Sequence, residues 1–238
     1  MENAILMAAG LGSRMQPITN ITPKPLVKAA DVPLIETVIS GLNKRGVDDI
    51  YVVVGYLGDQ FTYLTRKYPN VLLIRNDVYD TANNISSVYA ARDILLKGSC
   101  FICEADLYVS DEDVFCTELG SSCYFGKYVS GYSDDWVFDV NDRGRIIRIG
   151  KRGNDRYNMS GVSYFTSTDA KKLHDVIVEE YSKPGHEQLF WDEAVDRHIS
   201  CFDLTVHPVD AQQIIEVDTV DELYFLSELI KQNIIYQS

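Results

Sequence analysis

The chain has 238 residues, long enough to bury a substantial core, and its length favours one α/β domain. Its 35 acidic residues outnumber 22 basic ones for a formal net charge of −13, which excludes a broad electrostatic footprint for nucleic acid and leaves any phosphorylated ligand dependent on local cations or a metal. Five cysteines, at 100, 103, 116, 123 and 201, predict no disulfide framework and fit a reducing cytoplasm; the apolar run after Glu2 is too short for a signal peptide, and no other run reaches the ~20 residues that span a bilayer.

Taken in chain order, residues 3–8 ("NAILMA") predict a buried strand. The turn after it carries Gly10 and Gly12, which let backbone N–H groups approach an anion because no Cβ intervenes. Arg14 and Lys24, the latter between Pro23 and Pro25, add positive charge and suggest a polyphosphate. Apolar spacing at Ile35, Val38, Ile39 and Leu42 predicts a helix over 33–46 that stops at Gly46, and residues 49–56 predict the next strand, completing a βαβ unit. A helix near 58–68, a strand over 71–76, a helix over 84–96 and a strand over 99–106 continue the alternation. Cys100 and Cys103 lie in that last strand, on alternate faces, as buried thiols. This rhythm implies a Rossmann-like three-layer α/β/α fold with a mostly parallel mixed sheet, whose ligand site lies at the carboxyl ends of the strands, near Gly10–Arg14 and Asp106.

After residue 120 the rhythm changes. Two apolar runs over 136–150 flank Asn141-Asp142-Arg143-Gly144, a hairpin signal, and residues 160–166 predict a further strand. Two helices and a strand near 202–208 follow, and residues 214–233 close the chain with a strand and an amphipathic helix. No repeat or linker divides the sequence, so residues 1–238 are expected to form a single domain, 1–119 holding a nucleotide and 120–238 supplying a small β-rich insertion on the acceptor side. Glu216 and Asp218, two apart on an extended segment, share a face. Mg²⁺ suits one or two such carboxylates together with phosphates and water, although among 35 acids any single one is by default a solvated strand end.

Gly10, Gly12, Arg14, Pro17, Thr19, Pro23, Lys24 and Leu26 fill every fixed place of G-x-G-x-R-x-x-P-x-T-x-x-x-P-K-x-L. In this the chain resembles the nucleotidylyltransferase superfamily of nucleoside-diphosphosugar pyrophosphorylases and cytidylyltransferases. The resemblance implies that the glycine turn and Arg14 hold a triphosphate, that Lys24 contacts phosphoryl oxygens during transfer, and that Ala8 and Ala9 let a base approach the backbone. It selects Asp106 and Asp218 as Mg²⁺ ligands, with Glu216 third.

The segments "NNISSVY", "EAD", "DDWVF", "SGVSYF", "FWDEAV" and "IIEVDT" are most similar to the compact bacterial CTP:phosphocholine cytidylyltransferases. That likeness implies CTP and phosphocholine as substrates, with Asn83, Asn84 and Ser86 lining the nucleotide pocket. A helix cap explains one of these three equally well. A quaternary ammonium is recognised by aromatic faces and nearby acids, so Trp136 and Trp191, with Asp192, are expected to enclose choline, and Lys151 to meet the acceptor phosphate. Taken alone, each tryptophan reads as a core residue. Three alternatives stay open: transfer to 2-aminoethylphosphonate or another small phosphorylated alcohol, a sugar-1-phosphate nucleotidylyltransferase, and a silent nucleotide-binding subunit. A homo-oligomer is compatible with all of them.

Overall fold

The computed structural model describes residues 1–232. Strand β1 (Glu2–Ala8) lies between β4 (Asp49–Val54) and β6 (Ser99–Glu104), parallel to both, and β5 (Val71–Arg75) extends the sheet beyond β4 in the same direction. β1, β4 and β6 are covered on both faces, which is why they read as continuous apolar runs rather than alternating ones, whereas β5 is the edge strand, with Leu72 exposed. Along β1, Ala4, Leu6 and Ala8 enter one core with Ile35, Val38, Ile39 and Leu42 of α1 (Leu34–Arg45), while Ile5 enters a second with Ile102 and residues of α3 (Ile85–Ala90), α4 (Ser167–Tyr181) and α5 (Trp191–Arg197). Gly46, at φ +86°, closes α1 in the left-handed conformation that a side chain disfavours.

Two predicted helices are shorter than their apolar spacing implied. Residues 58–68 form a 3₁₀ turn (Gly58–Phe61) followed by α2 (Thr62–Lys67). Residues 84–96 form α3 and then a 3₁₀ turn (Arg92–Leu96); the N–H of Ala91 is shared between the Ser87 and Val88 carbonyls, the tightening through which an α-helix gives way to i→i+3 bonding.

The hairpin predicted at Asn141–Gly144 is present, closed by the Gly144 N–H donating to the Asn141 carbonyl and by the Asn141 side chain accepting from the N–H groups of Arg143 and Arg145. Its arms are far longer than expected: β8 (Cys123–Val140) and β9 (Ile146–Phe165) have 18 and 20 residues, and the separate strand expected over 160–166 is the end of β9. Val137 and Phe138 pair with two stretches of β9, at Gly150 and Ile149 and again at Asn158 and Tyr157, so the hairpin folds over on itself. β9 joins β6 antiparallel, and β10 (Thr205–Pro208) adds to β8, giving a mixed seven-stranded sheet in the order β10-β8-β9-β6-β1-β4-β5.

Two small ladders complete the fold: β2 (Lys28–Ala29) with β3 (Val32–Pro33), and β7 (Leu107–Val109) with β11 (Ile214–Glu216). Helix α6 (Val220–Lys231) follows, opened by a capping box between Thr219 and Glu222; residue 233 of the predicted closing helix lies outside the described residues. Cys100 and Cys103 are buried free thiols, as expected. No helix among the described residues is long and apolar enough to cross a membrane.

Candidate active site

The turn after β1 is held by its own motif. Gly12 has φ +63°, and a Cβ placed there would stand 2.9 Å from Lys24 Cβ and 3.0 Å from Thr19 Cγ2. Its carbonyl accepts a hydrogen bond from Thr19 Oγ1 at 2.9 Å. The glycine, threonine and lysine of the sequence pattern are therefore one packed unit: the left-handed glycine brings residues 19 and 24 against the turn, and nothing larger fits. Ala8 and Ala9 are buried beside it, while Gly10 faces open space.

Lys24 is the centre of the charged groups. It is 7 % exposed, and its Nζ lies 2.6 Å from both Asp106 Oδ2 and Asp218 Oδ1. Burial alone would lower its pKa, but attraction and hydrogen bonding from Asp106 and Asp218 outweigh it and raise the ammonium above its ordinary 10.5. Arg14 Nη2 donates to Asp218 Oδ1 at 2.7 Å from a largely exposed position. Asp106 follows the end of β6; Asp218 reaches it because β11 pairs with β7, setting Glu216 opposite Leu107.

Glu104 and Glu216 join these groups. Burial, then the charges of Glu216, Asp106 and Asp192, hold the Glu104 carboxyl well above its usual range, with Lys24 opposing. Enclosure, then Asp106 and Asp218, push Glu216 up to about 7. Four carboxyl groups crowd two cations here, and their mutual repulsion is part of what raises Glu104 and Glu216; a hard cation would relieve it, and oxygen donors of this kind suit Mg²⁺.

A cleft of about 390 Å³ opens over this cluster. Every expected nucleotide-binding residue lines it: Ala8, Ala9, Gly10, Gly12, Arg14, Lys24, Asn83, Asn84 and Ser86. The last three also stitch the wall together. Asn84 Oδ1 accepts from the Trp191 N–H at 3.0 Å, and Ser86 Oγ donates to the Asn83 carbonyl while accepting from Asn76 Nδ2. Asn84 stands at the start of α3, but its side chain makes no cap bond there. Asn76, Tyr79 and Glu104 line the cleft without having been singled out as site residues. Glu104 had a signal, since it is the last residue of β6 and stands two residues before Asp106; Asn76 and Tyr79 had none beyond their place after β5.

A second cleft, of about 370 Å³, shares Arg14, Glu104, Glu216 and Asp218 with the first and adds Asp134, Asp135, Trp136, Lys151, Met159 and Phe190. Trp136 and Lys151, both expected to meet an acceptor, line this second cleft together. Trp191 and Asp192 are not on this cleft, and the two-tryptophan enclosure does not form. Trp191 is 3 % exposed, packed at 5.8 Å on Tyr124 and 6.2 Å on Phe165, because it opens α5 on the face that buries Ala194 and Val195. Phe190, one residue earlier, meets Trp136 edge-on at 5.5 Å instead. Lys151 Nζ already stands 5.6 Å from both of these ring centroids. Asp192 is buried, and that burial pushes its carboxyl up to about 7.

A sequence model of the MobA-like NTP transferase domain matches residues 4–119. The chain is 56 % identical over 221 residues to the 2-aminoethylphosphonate cytidylyltransferase of Lancefieldella rimae, covering 93 % of this chain and 90 % of that protein. It is 34 % identical to the choline-phosphate cytidylyltransferase of Streptococcus pneumoniae, covering 96 % and 98 %. The solved structure of the CTP:phosphocholine cytidylyltransferase from Streptococcus pneumoniae superposes with a TM-score of 0.87 at 33 % identity, over 96 % of this chain and 99 % of that one.

Proposed function

The chain belongs to the nucleotidyltransferase family that includes these cytidylyltransferases, and from that premise we propose that it transfers the cytidylyl group of CTP to 2-aminoethylphosphonate, releasing pyrophosphate. The observation that carries the acceptor is the 56 % identity to a 2-aminoethylphosphonate cytidylyltransferase over nearly the whole chain, against 34 % to a choline-phosphate enzyme. The acceptor-side cleft supports the same reading: it is rich in carboxylates, and its aromatic pair faces the cation of Lys151. A primary ammonium favours direct carboxylate contacts, whereas a quaternary one depends on aromatic faces.

In this reading an ionised phosphonate oxygen attacks the α-phosphorus of CTP, a P–O–P bond forms, and the bond from the α-phosphorus to the bridging oxygen breaks as pyrophosphate departs. The attacking oxygen carries no proton, so no general base is required. Positioning and charge neutralisation supply the rate. Lys24, buried and held protonated between two carboxylates, is aimed at the transferring phosphoryl group; Arg14, at the mouth, supports the departing pyrophosphate. Lys151 meets the acceptor phosphonate from the other cleft. Asp106 and Asp218, with Glu216 beside them, would hold Mg²⁺, whose charge offsets that of the triphosphate.

Pyrophosphate release from CTP with 2-aminoethylphosphonate and with phosphocholine tests this assignment. A higher kcat/KM for the phosphonate is expected, and a higher one for phosphocholine would replace it with the choline reading, which the structural likeness to the pneumococcal enzyme favours.

A further inference from the structure

Below the junction of the two clefts lies a small recess of about 10 Å³, room for a single water-sized group. Glu104, Met159 and Gly161 form part of its wall and part of the acceptor-side cleft, so it opens toward the place where an acceptor would lie. Its remaining polar wall is Tyr124, Ser163 and Asp192. Ser163 Oγ is used, donating to the Ile102 carbonyl at 3.1 Å. The Tyr124 hydroxyl, on a residue 1 % exposed, interacts with the Asp192 carboxyl, whose Oδ1, on a residue 4 % exposed, makes no well-formed hydrogen bond. Glu104 makes no hydrogen bond or ion pair among the described residues, and Gly161, at φ +76°, leaves the space its Oε2 needs, since a Cβ there would be 3.1 Å away. A buried acid, Asp192, a half-buried one, Glu104, and a phenol thus border a water-sized space whose other walls are apolar, Met7, Ile102, Val162 and Trp191 among them; a buried carboxyl oxygen beside apolar walls is costly to leave unpaired.

We infer that this recess is the ammonium subsite of the acceptor: Asp192, Glu104 and the Tyr124 oxygen receive the three N–H donors of a primary ammonium, and the size of the recess rejects a methylated one. The inference rests on the acceptor being an aminoethyl phosphonate, as proposed above. A primary ammonium is compact and carries three donors and no acceptor, matching three acceptors around a water-sized space. A trimethylammonium group has no donor and would need several times that volume. The aromatic pair that would suit it, Trp136 with Phe190, faces Lys151, whose like charge repels it. Sites that hydrogen-bond a ligand group discriminate strongly because the analogue strands their buried polar atoms. Selection for the primary amine is therefore built from Glu104, at the edge of the acceptor-side cleft, and from Asp192 and Tyr124, which do not line it.

The test is a methylation ladder on one acceptor: 2-aminoethylphosphonate and its N-methyl, N,N-dimethyl and N,N,N-trimethyl derivatives, with pyrophosphate release from CTP as the readout. Keeping the phosphonate constant isolates the amine. The expected result is a fall in kcat/KM with each methyl, reaching ~10²-fold or more for the trimethyl compound. Asp192→Asn, isosteric and uncharged, should raise the KM for 2-aminoethylphosphonate at least ~10-fold, leave the KM for CTP within about twofold, and flatten the ladder. Tyr124→Phe, which removes only the hydroxyl, should act in the same direction to a smaller extent and serves if the first variant does not fold. A flat ladder in the unaltered enzyme, with good turnover of 2-aminoethylphosphonate, would overturn the inference alone and leave the recess with a structural water only. So would variants that lower kcat for every rung alike with KM unchanged. No pyrophosphate release with any rung would overturn the proposed acceptor, and the subsite with it.

Discussion

Lys24 shows how one residue carries several roles. Its stem packs against Gly12 and its ammonium joins Asp106 to Asp218. Lys24→Ala should lower turnover ~10²-fold or more, the loss expected when a preorganised charge aimed at the transition state is removed. Near-normal turnover in a steady-state assay would remove it from the mechanism. Gly12→Ala should cost stability, by about 1–3 kcal/mol, because the left-handed φ and the 2.9 Å approach to Lys24 Cβ both resist a methyl; urea midpoints measure it.

Asp192 makes a pH prediction of definite sign. Its folded pKa of about 7 lies above the ordinary 3.8, so the native state holds the proton more tightly than the unfolded chain. That contribution is fully present below about pH 4 and is lost as pH rises through about 7. In the absence of acceptor, urea midpoints at pH 5.5 and 8 should show the unaltered protein losing more stability on the rise than Asp192→Asn does, the difference isolating this carboxyl from Glu104 and Glu216, whose shifts have the same sign. Equal losses would mean that Asp192 titrates normally.

At the scale of elements, the short pairing of β11 with β7 has an influence out of proportion to its three residue pairs. It is the ladder that brings Asp218 to Lys24 and Arg14. Ile215→Pro, which removes an N–H and restrains the strand, should therefore depress transfer as far as Asp218→Ala does, while circular dichroism reports the large sheet and its helices intact. Loss of the whole fold instead would make β11 part of the core's cooperative unit. The folded-over β8–β9 hairpin is the complementary element, since it supplies Asp134, Asp135, Trp136 and Lys151 to the acceptor side.

For the molecule as a whole, a net charge of −13 opposes the approach of a triphosphate, and the cleft itself adds four carboxyl groups to its two cations. A divalent cation is the direct remedy. Activity should vanish with a chelator and return with Mg²⁺, and Asp106→Ala should raise the Mg²⁺ concentration required for half-maximal rate; unaltered activity in chelator would take the metal out of the proposal.

By itself the sequence determined the alternating βαβ order, with the parallel sheet such alternation implies, and the turn after β1, because the first depends on periodicity and the second on contacts within about twenty residues: Gly12, Thr19 and Lys24 are neighbours in the chain before they are neighbours in space. Ala8, Ala9, Asn83, Asn84 and Ser86 were legible as cleft residues through resemblance to a family, since a helix start alone explains an asparagine equally well. The tertiary structure decided the rest. Asp218 meets Lys24 across 194 residues only because β11 finds β7, a pairing no local pattern encodes. The length of β8 and β9, and the way Val137 and Phe138 face two stretches of one partner, follow from long-range ladders that a hairpin signal at residues 141–144 does not measure. Trp191 and Phe190 differ by one position, Phe190 being the extended N-cap and Trp191 the first helical residue, so their side chains part, and the sequence holds no sign of which one faces the core. That choice was made by Tyr124, which stacks on Trp191, and Phe165, which meets it edge-on, leaving Phe190 to the second cleft and Asp192 to the recess beneath it.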